Sequence, residues 1–347
     1  MNRAKVHLVE RLKWGEDILA LTVFFTMVFI PAFETFARIV NFRGIPASPV
    51  LVQHLTLWIG FLGAILAARQ NKLIALTTTP LFSIDEQFQF GRWLAKVVSF
   101  VVVLTLMWGS WVLVKIEFAF PVDIAPNIPR WFTQTVMPLS FGLIAVQILI
   151  KCTNNNLYRA SILMMALLWI IIGLTGAFQD DYWLILVGLG ILCISVVYGA
   201  PIFVGLGGVA ILFFWGDFIP MSAIPAEMYR IVVSPTLPTI PLFTLAGYIL
   251  AESGASQRMV DVFSSTFGWI KGGTPVVVVL LCGFFTALTG GSGVTILALG
   301  GLLYPLLRKS GYSELFSLGL ITVSGSLGLL FPPSLPAIIY SVTAGVS

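Results

Sequence analysis

Two short polar segments interrupt long apolar runs, and the groups they offer are oxygens and backbone amides. The first is Thr289-Gly290-Gly291-Ser292-Gly293-Val294-Thr295; the second is Phe331-Pro332-Pro333-Ser334, shortly after Ser324-Gly325-Ser326-Leu327-Gly328. Neither contains a charge, a histidine or a cysteine. Two consecutive prolines remove two backbone donors and keep the preceding carbonyls from pairing helically. Such segments can coordinate a cation with neutral oxygens, and a helix N-terminus beside them can meet a carboxylate.

The elements that must position these groups follow from length and charge. Gly272–Leu307 runs 36 residues without a charge, with the first polar segment at its middle. Each arm, Pro275–Leu288 and Val294–Leu307, is 14 residues, or about 21 Å of helix. A hydrocarbon core is about 30 Å thick, so neither arm crosses it and the pair predicts a re-entrant helical hairpin. Lys271 before it and Arg308-Lys309 after it lie on one side of the membrane by the charge rule, as a hairpin requires. Leu315–Ser347 is again uncharged and is broken at Phe331–Pro336, which predicts a discontinuous helix. Hairpin plus broken helix is the sequence pointer to a secondary-transporter binding site.

Composition places these elements in a membrane. Hydrophobic residues make up 58% of the 347 and charged ones 10%, at a mean hydropathy of +0.99. Soluble domains sit near 45–50% and 25%. The fold class is therefore all-α, a polytopic helical membrane protein. The net charge of +4 fits cytoplasmic loops rich in Lys and Arg and gives no reason to expect nucleic acid. Cys152, Cys193 and Cys282 are scattered and read as packing groups; His7 and His54 read as satisfied or interfacial groups rather than ligands. Arg3, Lys5, Arg11 and Lys13 put the N-terminus in the cytoplasm. Spans are expected near 18–33, 50–68, 97–114, 131–150 and 161–178, with two more in Tyr182–Gly216 separated at Gly199-Ala200-Pro201. Asp217–Pro235 reads as interfacial. The domains predicted are a four-helix unit over 1–150, a linker and connecting helix over 151–181, and a hairpin-bearing domain over 182–347.

These residues resemble the tripartite ATP-independent periplasmic (TRAP) transporters, with small and large membrane subunits fused. Leu57–Ala64 through Arg69 and Ile128–Trp131 with Met137–Leu139 are similar to the small subunit. Gly199–Ile202, Ile240–Gly247, Phe284–Thr295, Pro305 with Gly311-Tyr312, and Leu330–Ser334 are similar to the large one. The resemblance implies a sodium-coupled importer in the bacterial inner membrane, working by an elevator-type motion. It also implies a small organic acid delivered by a periplasmic solute-binding protein. The family's large subunit resembles an inverted repeat, and this chain stops at Ser347, after the first broken helix. The expectation is a fragment or truncated product, or a second polypeptide supplying the missing repeat.

On that reading the substrate and ion site comprises Thr289, Gly290, Gly291, Ser292, Gly293, Thr295, Ser326, Pro332, Pro333 and Ser334. Ser292 and Ser334 are the candidate sodium ligands, and no cofactor other than the coupling ion is expected. Small-residue packing is the alternative for Thr289–Thr295, but it leaves the short arms unexplained; for Phe331–Ser334 it is a simple proline kink. Glu34 and Glu117 read as solvated or snorkelling groups at span ends. An enzyme is not expected: the sequence has no H-E-x-x-H, and without a Walker motif no ATP hydrolysis either. A non-transporting scaffold or assembly subunit remains the other reading.

Overall fold

Proline and glycine set most element boundaries in this computed structural model. It describes residues 3–76, 86–152, 156–175, 182–270 and 272–330, and positions 334, 337, 340, 341, 344 and 345. The chain forms two compact units, 1–233 and 234–347.

Unit 1 is a helical bundle: α1 (Arg3–Ile39), α2 (Ser48–Arg69), α3 (Glu86–Ala119), α4 (Arg130–Gln134), α5 (Val136–Cys152), α6 (Asn156–Thr175), α7 (Tyr182–Val197), α8 (Ile202–Gly216) and α9 (Ala223–Val232). α3 is its central mast, in contact with α4 to α9. Val103, Leu57, Met137, Ile162 and Val204 reach zero exposure where α3, α2, α5, α6 and α8 meet. Four helical segments are long and apolar enough to cross a membrane: Lys13–Ile39, Ser48–Arg69, Phe90–Ala119 and Arg130–Lys151. They correspond to the first four expected spans. The last combines α4 and α5, which part at Thr135 because Pro138 has no N–H for the Gln134 carbonyl.

α7 and α8 separate at Gly199 (φ 96°) and Pro201, as the sequence predicts, and α9 is the short helix of the expected interfacial segment. A two-stranded turn that the sequence did not suggest joins α3 to α4: β1 (Asp123–Ala125) pairs antiparallel with β2 (Ile128–Pro129). Pro126 sets one turn dihedral and Asn127 takes the left-handed one, φ 64°. The two carboxylates read as solvated are engaged. Glu34 accepts from the Ile45 amide at 3.2 Å and pins the α1–α2 loop. Glu117 pairs with Arg130 at 3.2 Å across the β-turn.

His54 is a satisfied group. Its Nδ1 lies 2.8 Å from the Val50 carbonyl and must donate to it, so Nε2 accepts from the Tyr229 hydroxyl at 2.7 Å. Burial pushes the Tyr229 phenol up to about 12, which keeps it a donor. This contact ties α9 to α2.

Unit 2 contains α10 (Thr239–Glu252), α11 (Ala255–Phe267), α12 (Gly273–Thr289), α13 (Ser292–Lys309) and α14 (Glu314–Leu327), which passes into a 3-10 turn at Gly328–Leu330. α12 and α13 are the expected hairpin arms, at 17 and 18 residues instead of 14. The core gathers Val278, Leu281, Cys282 and Phe285 from α12 with Leu299, Leu303 and Leu307 from α13, all at zero exposure. The spacing of three and four residues puts each set on one helix face.

Candidate functional site

The hairpin tip is built by two glycines with different dihedrals. Gly290 ends α12 in the left-handed region (φ 70°), returning its N–H to the Thr286 carbonyl at 2.7 Å. Gly291 is extended (φ −140°), and α13 starts at Ser292 with no side-chain cap. A side chain at position 290 would strain that φ. The connection is so short that carbonyls ending α12 and amides starting α13 meet at one place. Opposite partial charges of two helix dipoles converge there.

Two threonines lock the arms just inside the tip. Thr286 donates to the Thr295 hydroxyl at 2.8 Å, and both side chains have zero exposure. Thr295 in turn donates toward the Gly291 carbonyl at 3.4 Å. The hydrogen atoms therefore run toward the tip, and Thr286 Oγ1 turns lone pairs away from Thr295.

α14 closes on this tip with a face of small residues. Ser313 caps its start, accepting from the Phe316 amide at 3.3 Å, and Glu314 complements the dipole. Ser317, Ile321, Ser324, Gly325 and Gly328 form the buried face, spaced by three, four and seven residues as a helix stripe requires. A methyl on Gly325 would come 3.4 Å from the Ser292 carbonyl oxygen and 3.2 Å from Ile296 Cγ1. One on Gly328 would collide with the Gly283 carbonyl and Thr286 Cβ. Lipid tails are as apolar as leucine, so such close approach, rather than burial alone, is what holds these helices together. Ser324 is 1% exposed, and its hydroxyl has no hydrogen-bond partner among the described residues. An orphan hydroxyl beside the hairpin tip invites an added ligand.

The expected site residues separate accordingly. Gly290, Gly291, Ser292 and Thr295 come together at the tip with the α14 face. Gly293 is exposed with open space around it. Thr289 closes α12, and its side chain lies outside the described residues, as do Pro332 and Pro333 entirely. Ser334 is buried at 7%; it donates to the Leu329 carbonyl and accepts from the Ala337 amide at 3.4 Å. Ser326 is exposed, on the α14 face away from Ser324. Thr286, bonded to Thr295, and Ser324, on the buried α14 face, are polar groups that the sequence reading left out. Extending the 3.6 period from Ser317 through Ile321 selects Ser324 over Ser326. Among the described residues no His, Cys, Asp or Glu cluster could hold a metal, so any ion here meets neutral oxygens.

Comparison with known proteins gives two matches in chain order. Residues 27–155 match the family of tripartite ATP-independent periplasmic transporters, DctQ component, and residues 189–347 match the tripartite ATP-independent periplasmic transporter, DctM component. The chain is 26% identical over 333 residues to the isethionate TRAP transporter permease protein DctMQ of Oleidesulfovibrio alaskensis, covering 92% of this chain and 52% of that protein. It is 33% identical over 154 residues to the C4-dicarboxylate TRAP transporter large permease protein DctM of Vibrio cholerae, covering 44% and 34%. The ectoine TRAP transporter large permease protein TeaC of Halomonas elongata is 31% identical over 155 residues, covering 44% and 36%. The chain thus spans about half the length of the first of these relatives and about a third of the others. Residues 189–233, within the DctM match, fold into unit 1 together with the helices of the DctQ match.

Proposed function

This chain belongs to the TRAP transporter family, with small and large membrane subunits joined in one multi-pass polypeptide, and from that premise we propose that it is the membrane component of a sodium-coupled importer of a small organic acid. The family consists of transporters, not enzymes. The substrate arrives on a periplasmic solute-binding protein, and the basic N-terminal residues lie in the cytoplasm. Relatives named for C4-dicarboxylates and isethionate, both acids, support the substrate class.

The observation that carries the ion reading is the hairpin tip closed against α14. The Gly291 and Ser292 carbonyls, the Thr286 and Thr295 hydroxyls and the orphan Ser324 hydroxyl supply neutral oxygens within a close-packed setting, and to these we add the Ser292 and Ser334 hydroxyls as ligands. Na⁺ is a hard cation suited to oxygen, and a cage without carboxylates lets it leave again. The uncapped start of α13 offers amides to a substrate carboxylate. For the motion, unit 2 holds the loosened backbone and moves as a body, while α1–α9 form the static frame.

Reconstitution with the binding protein, and with any polypeptide that completes the large subunit, tests this. Uptake should require an inward sodium gradient. Flux that persists when sodium is replaced by choline would remove sodium coupling, and no flux under any ion gradient would favour a scaffold.

A further inference from the structure

A groove in unit 1, untouched by the transport reading, joins an unpaired cation to an apolar cavity. On α3, Leu104, Trp108, Trp111 and Lys115 follow at spacings of four, three and four residues, so they lie on one helix face. Among the described residues the Lys115 ammonium has no hydrogen-bond or ion-pair partner; it stands over the Trp111 ring, 5.7 Å from its centre. The next carboxylate along the helix, Glu117, is taken by Arg130. The indole N–H groups of Trp108 and Trp111 also have no acceptor among the described residues. Those of Trp58, Trp93 and Trp169 each donate to one.

Trp108, about 10 Å along the helix from Lys115, is also a wall of the cavity, which holds about 560 Å³. Leu104 and Trp108 from α3 face Trp169 and Ile170 from α6, with Trp215 from α8 and Met221 after it. None of the described wall residues is charged. The Thr105 hydroxyl accepts from Trp169 Nε1 at 3.1 Å and donates to the Val101 carbonyl at 3.0 Å, so this polar wall group is already engaged. The rings are held in place: a methyl on Gly173 would overlap Trp215, and Trp169 meets Trp215 edge to face at 5.2 Å. Trp108 and Ile170 are more than half exposed at the mouth. This part of α3 lies inside a segment long and apolar enough to cross a membrane, so the mouth opens on hydrocarbon.

We propose that this groove holds one phospholipid, its phosphodiester on Lys115 and one acyl chain in the cavity against Trp169 and Trp215. The Trp111 and Trp108 N–H groups, deeper along the same face, donate to the ester carbonyls. Lipid tails are as apolar as leucine, so transfer into the cavity gains little by itself. Retention comes from close contact with fixed rings together with the charge-assisted ammonium–phosphate pair. A free anion would leave the cavity unused, and a tail without phosphate would leave Lys115 unmet.

The test uses the full chain purified in detergent, delipidated, and titrated with dioleoylphosphatidylglycerol, dioleoylglycerol or glycerophosphate, with bound copies counted by native mass spectrometry. One copy of phosphatidylglycerol should bind more tightly than any further ones. Dioleoylglycerol, which lacks the phosphate, should bind about five-fold more weakly, and glycerophosphate not measurably. Lys115→Gln should bring phosphatidylglycerol down to the level of dioleoylglycerol. Ile170→Trp, which fills the mouth, should lose the tight copy, while Leu168→Trp, exposed on the same helix but outside the cavity wall, should keep it. The wild type carries a reading that needs no variant: phosphatidylglycerol with brominated chains should quench tryptophan fluorescence as its first copy binds. Equal binding of the two lipids, a tight copy that survives Ile170→Trp or is unchanged in Lys115→Gln, or a first copy that quenches nothing overturns the proposal. Glycerophosphate binding as well as the lipid also overturns it and would make this a free-anion site.

Discussion

The hydroxyl oxygens of Thr286 and Thr295 stand 2.8 Å apart across the two arms of the hairpin, each with zero exposure. Thr286→Val removes the donor while keeping shape, and Thr295→Val removes the acceptor. Hydrogen bonds between membrane helices average about 0.6 kcal/mol in double-mutant cycles, with a maximum near 1.7. The coupling here should fall in the upper half of that range because neither group has water as a substitute. Thermal unfolding of both single variants and the double variant in detergent gives the number, and a coupling within error of zero removes the lock.

Serine substitutions separate ligand from packing. Ser292→Ala and Ser334→Ala should weaken sodium affinity about ten- to a hundredfold, the worth of one ion–dipole contact of about 1.5–3 kcal/mol. Ser264→Ala on α11 serves as the control. Ser324→Ala adds a sharper contrast. Removing a buried hydroxyl without a partner should hold or raise stability by up to about 1 kcal/mol, yet it should still shift the sodium dependence of uptake. Unchanged half-saturation by sodium in all three variants would sink the ion site.

Legibility in the sequence followed the physics of each element. The hairpin was visible because 36 uncharged residues with a glycine centre have few other ways to sit in a bilayer. The α7–α8 break was visible because Gly199 and Pro201 punctuate it. The choice of Ser324 over Ser326 depends on which α14 face meets the hairpin, a tertiary fact that needs the helical phase set by Ser317 and Ile321. Glu34 and Glu117 read as solvated or snorkelling and His54 as a satisfied or interfacial group with no partner named, since Ile45, Arg130 and Tyr229 become neighbours only on folding. The short β-turn was missed because Asp123–Pro129 carries too little apolar pattern to outweigh the flanking helices.

Gly328, just past the end of α14, lies directly against α12. A methyl there meets backbone atoms, with the Ala287 nitrogen at 2.9 Å, so the helices must part. Gly328→Ala should cost about 1–3 kcal/mol, as overpacking does. Gly325→Ala meets mainly the Ile296 side chain and should cost less. The order of the two unfolding temperatures is the check; Gly325→Ala falling further than Gly328→Ala contradicts the packing described.

Tyr229→Phe isolates the tie between α9 and α2. It leaves His54 Nε2 as a buried acceptor without its donor, so a loss of about 1 kcal/mol is expected. Because the hydroxyl belongs to the frame and not to the hairpin, the half-saturating sodium concentration should stay the same. A shifted sodium dependence in this variant would show that the frame takes part in ion binding.

Motion of unit 2 against that frame makes the last prediction. The Gly290-Gly291 turn of the proposed ion site joins α12 to α13. In the frame, Glu16 and Asp17 with Arg69, Glu117 with Arg130, Glu34 with the Ile45 amide and His54 with Tyr229 tie the helices together. A rigid-body shift needs the two units to be separable during the cycle, whereas a local gate at the tip does not. Engineered cysteines, one on α10–α14 and one on α1–α5, should abolish uptake when cross-linked and restore it on reduction. Sodium binding measured on the cross-linked protein should survive, because the tip and the α14 face lie together within unit 2. Full flux with the cross-link complete would leave a local gate as the mechanism.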